Sequence, residues 1–248
     1  RHMVEGRGGY PAIINADVNA DPEEGAERQV TYQQLAERVN RCGNLLRSLA
    51  SEPGGRILMV VKDCPEFFYI FWGAIKAGLV PVPLNTLLRA DDYRFMIEDS
   101  DCTGLVYSPE YQSEITSALA ASGHHPAFVL CTEGPSGMSG LLQDYSFVLE
   151  PASATADSEC FWLYSSGSTG RPKGAMITYG MCLYNSVHCD IAVSLSPQST
   201  NLVFLPTFHT AGLNIFANPA FHLGARNVIM RAFDPDQFCR VLSDKDIA

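Results

Sequence analysis

A chain of 248 residues, 46% apolar and 18% charged, holds enough hydrophobic material for one large domain or two modest lobes, which excludes a disordered chain. Its net charge of −10 argues against a nucleic-acid partner, which needs basic patches, but not against a nucleotide held by one loop. The longest apolar run, Phe67 to Ile75, is too short to cross a bilayer, no secretory signal opens the chain, and the eight cysteines form no Cys-x-x-Cys pair, so they read as reduced thiols of a cytoplasmic protein with no metal site.

Taken in order, Pro11 to Ile14 reads as a short strand, followed by an acidic loop at Asp21 to Gly25. Thr31 and Gln34 form a T-x-x-Q capping box, and Leu35, Val39, Leu46 and Leu49 then recur at helical spacing. Arg56 to Val61 is an apolar run of strand length. Pro65 suits a first helical turn, and Glu66 to Ala77 reads as a buried helix stopped by Gly78. Leu79 to Leu84 is extended, with Pro81 and Pro83 arguing against a central strand. Asp91 to Asp99 is a short helix, Gly104 to Tyr107 a strand, Glu110 to Ser122 a helix, and Ala127 to Leu130 a strand. Residues 133–158 break the rhythm and read as a surface linker. A strand at Cys160 to Tyr164 runs into a Gly/Ser loop, and a helix is expected beyond it, at Met181 to Val193. A strand at Asn201 to Leu205, an irregular helix over 213–222 containing Pro219, a strand at Asn227 to Met230 and a helix at Asp236 to Leu242 complete the series. The alternation predicts an α/β fold of mostly parallel sheets with helices on both faces. The break divides the chain into a first α/β lobe, residues 1–155, and a second, residues 156–248.

The loop Tyr164-Ser165-Ser166-Gly167-Ser168-Thr169-Gly170-Arg171-Pro172-Lys173-Gly174 carries the strongest chemical signal. Glycines let the backbone approach a ligand and turn its N–H groups inward. Hydroxyls donate to phosphate oxygens, and Lys173 adds a positive point charge. A polar surface turn is the plainer reading; the density of hydroxyls, the lysine and the apolar strand before them favour a polyanion. The stretch is not a Walker loop, because Lys173 is followed by Gly174, and it has no G-x-S-x-G nucleophile elbow. Further along, His209 follows the end of a strand where the chain turns, the usual place for sites in parallel α/β sheets. The other histidines have no partner that the sequence names.

The loop resembles the nucleotide loop of the AMP-forming (adenylate-forming) ligases, a long and specific motif matched in full. Three further segments follow in that family's order: Thr31-Tyr32-x-x-Leu35, Lys76 to Asn85, and Phe204-Leu205-Pro206-Thr207-Phe208-His209-Thr210-Ala211-Gly212. The first two are adequately explained as a capped helix and as a helix stop before an extended strand. The resemblance covers nearly the whole chain. Glu5 to Gly8, Asn85 to Tyr93 and Phe161 to Gly167 are similar to benzoate–CoA ligase and its aryl-CoA relatives, whereas His209 to Asn214 and Phe233-Asp234-Pro235 look more like fatty-acyl-CoA synthetases. Thr178-Tyr179 departs from the Thr-His of many members.

The resemblance implies an ATP-dependent carboxylic acid–CoA ligase that forms an acyl-adenylate and then an acyl-CoA thioester, on an aromatic acid such as a benzoate. A fatty-acid–CoA ligase and a non-catalytic nucleotide-binding module are the alternatives. It implies ATP, Mg²⁺ and CoA as substrates and cofactor and a small carboxylic acid as partner, and leaves a homodimer open. Ser165, Ser166, Gly167, Ser168, Thr169, Gly170 and Lys173 would hold the ATP phosphates. His209, Thr210, Ala211 and Gly212 would line the acid and CoA tunnel, with His209 as wall or gate. Members are roughly twice this length, so the adenine-binding segment, the metal-ligating glutamate, the ribose-binding aspartate and the small C-terminal domain with the catalytic lysine are expected to lie outside these residues. No catalytic or metal-ligating residue is therefore expected here, and the 248-residue piece alone is expected to be inactive.

Overall fold

The structure, a computed structural model, describes residues 2–16, 29–50, 52–165 and 170–243, with side chains from residue 5 onward. The elements in order are α1 (His2–Arg7), β1 (Pro11–Asn15), β2 (Gln29–Thr31), α2 (Tyr32–Leu49), β3 (Arg56–Val60), α3 (Pro65–Ala77), β4 (Val80–Pro83), α4 (Ala90–Ser100), β5 (Gly104–Tyr107), α5 (Gln112–Ala121), β6 (Phe128–Cys131) and α6 (Met138–Leu141). There follow β7 (Glu159–Ser165), β8 (Lys173–Thr178), α7 (Tyr179–Ala192), β9 (Thr200–Val203), a π-helical segment (Ala211–Ala217), α8 (Asn218–Leu223), β10 (Arg226–Ile229) and α9 (Pro235–Ser243). The α/β class with mostly parallel sheets holds.

Packing gathers the chain into two compact units. One comprises residues 1–37, 63–65 and 181–248; the other comprises 38–62 and 66–180. The first unit joins separate stretches of the chain, because β1 takes its parallel partner from β10, pairing Ile13 with Asn227. The first unit's sheet runs β2-β1-β10-β9, parallel except for β2 against β1. Its core gathers Ile14, Val228, Met230 and Val241. The second unit's sheet runs β4-β3-β5-β6, parallel throughout. Leu58, Val60, Leu105, Tyr93, Met96 and Ile97 are buried together beside it.

Local rules explain several elements directly. The capping box opens α2: the Thr31 N–H donates to Gln34 Oε1 at 2.8 Å, and the Gln34 N–H to Thr31 Oγ1 at 3.2 Å. Gly78, at φ +82°, closes α3 with a Schellman pair, Leu79 N–H to Ala74 O at 2.9 Å and Gly78 N–H to Ile75 O at 3.1 Å. β4 is an edge strand, as its prolines require. The Val80 and Leu84 N–H groups bond to Gly55 O and Met59 O on the β3 side, and the N–H groups that Pro81 and Pro83 lack fall on the side away from β3, where no strand among the described residues is hydrogen-bonded to β4.

Two glycines set the crossing of α2 and α3. A Cβ on Gly73 would stand 2.9 Å from both Gly43 N and Val39 O, backbone atoms with no room to yield. Gly73→Ala gains about 1 kcal/mol in helix propensity, but forcing the helices apart costs more, typically 1–3 kcal/mol. The expected result is a net loss of up to about 2 kcal/mol, seen as a lower urea midpoint at an unchanged slope.

One sequence expectation fails here. The Gly/Ser loop does not run from a strand into a helix. It joins β7 to β8, an antiparallel pair, and α7 begins only at Tyr179. β8 reads Lys-Gly-Ala-Met-Ile-Thr and is mostly half-exposed or exposed, so it shows neither a continuous apolar run nor a clean alternation.

Candidate active site

The hairpin brings the two ends of the Gly/Ser loop together. Ser165 and Lys173 face each other on the last rung, and the Ser165 hydroxyl reaches the Lys173 carbonyl at 3.4 Å. Directly opposed residues of an antiparallel pair project to the same face, so the hydroxyl and the ammonium share one side of the ribbon's tip. Lys173 is exposed. Gly170 has φ +93°, a left-handed conformation suited to glycine, with open space where a Cβ would be. Ser166, Gly167, Ser168 and Thr169 lie outside the described residues.

The opposite face of the ribbon is packed. Gly174 pairs with Tyr164, and a Cβ on it would stand 2.7 Å from the Trp162 ring. Trp162 and Tyr164 lie against the core beside α4. The Tyr164 phenol donates to Asp99 Oδ2 at 2.7 Å. Burial first, and then that hydrogen bond to Asp99, push the Tyr164 phenol well above its ordinary value, so it stays a neutral donor. The Arg171 guanidinium stands 5.5 Å from the centre of the Phe95 ring.

The second predicted segment lies in the other unit. After β9 the chain turns through Pro206 and Thr207. Thr207 is fully buried; its N–H donates to Asp63 Oδ1 at 2.9 Å, and its hydroxyl makes a short bond to the same oxygen. Burial raises the Asp63 carboxyl above its ordinary value, and the two Thr207 bonds act in the opposite sense. His209 is exposed, and its Nδ1 accepts the Ala211 N–H at 3.2 Å. That bond places the proton of a neutral ring on Nε2. Thr210 Oγ1 accepts from Asn214 Nδ2 at 3.1 Å. Gly212 is buried, and a Cβ there would collide with the carbonyl oxygens of Leu205 and Pro206. The π-helical turn over Ala211–Ala217 is a geometry often found at functional sites.

Sequence reasoning missed Asp63, Phe95 and Asp99. Asp63 precedes Cys64-Pro65 at a helix start, which signals a cap; nothing local points to Thr207, 144 residues away. Phe95 and Asp99 read as ordinary positions of an amphipathic helix. A hollow of about 460 Å³ lined by Glu5 to Tyr10 and Gln198 contains none of the predicted site residues. Among the described residues no helix is long and apolar enough to cross a membrane.

The AMP-binding enzyme family matches this sequence over residues 1–247. The chain belongs to the AMP-binding enzyme family. It is 39% identical over 179 residues to the 4-hydroxybenzoate–CoA/benzoate–CoA ligase of Rhodopseudomonas palustris, covering 71% of this chain and 31% of that protein. It is 39% identical over 178 residues to the benzoate–CoA ligase of Thauera aromatica, covering 71% and 32%. Among solved structures, a benzoate CoA ligase from Burkholderia xenovorans superposes with a TM-score of 0.83 at 27% identity, over 98% of this chain and 47% of that one. A long-chain-fatty-acid-CoA ligase from Archaeoglobus fulgidus shares the fold with a TM-score of 0.88 at 20% identity, over 96% and 47%. The chain thus spans about a third of these curated relatives and just under half of the solved chains.

Proposed function

We propose that this chain forms the phosphate-holding part of an AMP-forming carboxylic acid–CoA ligase that acts on an aromatic acid. The observation that carries the reading is the hairpin tip. Ser165 and Lys173 are opposed on its last rung and Gly170 is left-handed between them, within a chain that matches AMP-binding enzymes from end to end. The two benzoate–CoA ligases at 39% identity support the aromatic acid.

In the proposed reaction a carboxylate oxygen attacks the α-phosphorus of ATP. The bond to the bridging oxygen breaks, giving acyl-adenylate and pyrophosphate. The CoA thiol then attacks the acyl carbon, loses its proton and displaces AMP. Ser165, Ser166, Gly167, Ser168, Thr169, Gly170 and Lys173 hold the β- and γ-phosphates through hydroxyls, backbone N–H groups and one ammonium. Their part is positioning and neutralisation of charge on the departing pyrophosphate. His209, Thr210, Ala211 and Gly212 wall the passage for acid and CoA. With Nδ1 occupied by the Ala211 N–H, the neutral His209 ring presents a donor at Nε2, which suits a wall or gate better than a general base. Mg²⁺ would enter with ATP; among the described residues no three His, Cys, Asp or Glu side chains converge on a metal position, so no ligand is assigned to it. The eight cysteines, none of them in a Cys-x-x-Cys pair, suit the thiols of a cytoplasmic protein.

The test is a carboxylic-acid panel on the full-length protein with ATP and CoA. Benzoates are expected to give the highest kcat/KM for AMP release. A preference for medium-chain fatty acids would overturn the substrate class, and no acid-dependent AMP would overturn the ligase reading.

A further inference from the structure

We infer that α4 is a clamp for the phosphate loop, with Asp99 and Phe95 as positioning residues that fix the loop's two limbs; the inference rests on the phosphate-binding reading above. Phe95 and Asp99 are four residues apart, so they lie one above the other on one face of α4. Each takes a different limb of the hairpin. Asp99 accepts the Tyr164 hydroxyl at 2.7 Å, one residue before Ser165. Phe95 lies 5.5 Å from the Arg171 guanidinium, two residues before Lys173.

The far end of α4 is tied to the same hairpin a third time. The Arg56 guanidinium stands 5.0 Å from the centre of the Trp162 ring, its Nε donates to the Ser100 carbonyl, and it lies 3.9 Å from Asp101. Below these contacts, Met96 and Ile97 are buried in the core against which Trp162 and Tyr164 pack. The helix therefore cannot shift without moving β7. Ordering backbone around a polyphosphate costs conformational entropy. Fixing both limbs beforehand lowers that cost, which appears as tighter nucleotide binding.

The sizes are modest because Asp99 is exposed. A charge-assisted hydrogen bond in solvent and an exposed cation–π contact are each worth about 0.5–1 kcal/mol, or roughly two- to fivefold in affinity. The test uses the full-length protein and follows KM for ATP, KM for benzoate and thermal midpoint in Asp99→Ala, Tyr164→Phe, their double variant, Asp99→Asn and Phe95→Leu. The expected result is a two- to fivefold rise in KM for ATP in each of Asp99→Ala, Tyr164→Phe and Phe95→Leu, with KM for benzoate unchanged. The double variant should match its worse single, and Asp99→Asn, which keeps an acceptor oxygen, should recover most of the affinity. Unchanged KM for ATP, equal changes in both KM values, or additive singles would each overturn the clamp. Lys173→Ala in the same series separates the two readings. If it weakens ATP use while the α4 variants do not, only the clamp fails; if it too has no effect, the phosphate loop fails and the clamp with it.

Discussion

Lys173→Ala is expected to lower kcat/KM for ATP by about 10²-fold in the full-length enzyme while leaving the fold intact. The magnitude follows from the removal of a preorganised group at a site where charge develops, which costs on the order of 3 kcal/mol of transition-state stabilisation. The fold should not respond, because Lys173 is exposed at the tip of the β7–β8 ribbon and surface substitutions away from special features shift stability by about 0.5 kcal/mol or less. Lys173→Arg keeps the charge but replaces a compact ammonium with a planar fork, so partial recovery is expected. Parallel steady-state kinetics and urea unfolding of the three proteins check this. A large loss of stability in Lys173→Ala would mean that the lysine supports the hairpin and not a ligand.

The largest stability effect is expected at Asp63. Its Oδ1 is the acceptor for both the N–H and the hydroxyl of Thr207, which is fully buried. Asp63→Ala leaves both donors without that acceptor, at about 1–3 kcal/mol each, so a total loss of roughly 2–4 kcal/mol is expected after relaxation. Asp63→Asn retains an oxygen in the same place and should stay within about 1 kcal/mol of wild type. The pH dependence distinguishes the two acceptors. Burial raises the Asp63 carboxyl above 3.8 in the folded state, so over that interval the native protein keeps a proton that the unfolded chain has released. Stability from this group is complete below 3.8 and falls as pH rises through the folded value. Asp63→Asn should lack this component. Urea midpoints measured across that interval for wild type and Asp63→Asn are the check; parallel profiles would contradict the assignment.

The readable parts of the fold are those fixed by local chemistry. The capping box of Thr31 and Gln34, the left-handed Gly78 and the edge placement of Pro81 and Pro83 each follow from a few neighbouring residues. The parallel sheet of β3, β4 and β5 announced itself through short apolar runs buried on both faces. What could not be read depends on distant partners. β1 pairs with β10 more than 200 residues away, which makes the first unit discontinuous. β8 was hidden because a ribbon with exposed positions carries no strong period.

The candidate site divides in the same way. Its glycines, hydroxyls and lysine are contiguous, so the phosphate loop was legible as chemistry and as a family motif. Its supports were not. Asp99 and Phe95 meet the loop only because α4 and the hairpin pack on one core, and Asp63 reaches Thr207 only through the fold. No local pattern encodes either contact.

The most direct test of the central claim is benzoate-dependent exchange of labelled pyrophosphate into ATP, measured on the full-length protein without CoA. Exchange reports reversible formation of the acyl-adenylate alone. The account predicts exchange that requires both benzoate and Mg²⁺ and falls about 10²-fold in Lys173→Ala. Exchange that is absent with every carboxylic acid, or that proceeds undiminished in Lys173→Ala, would contradict it.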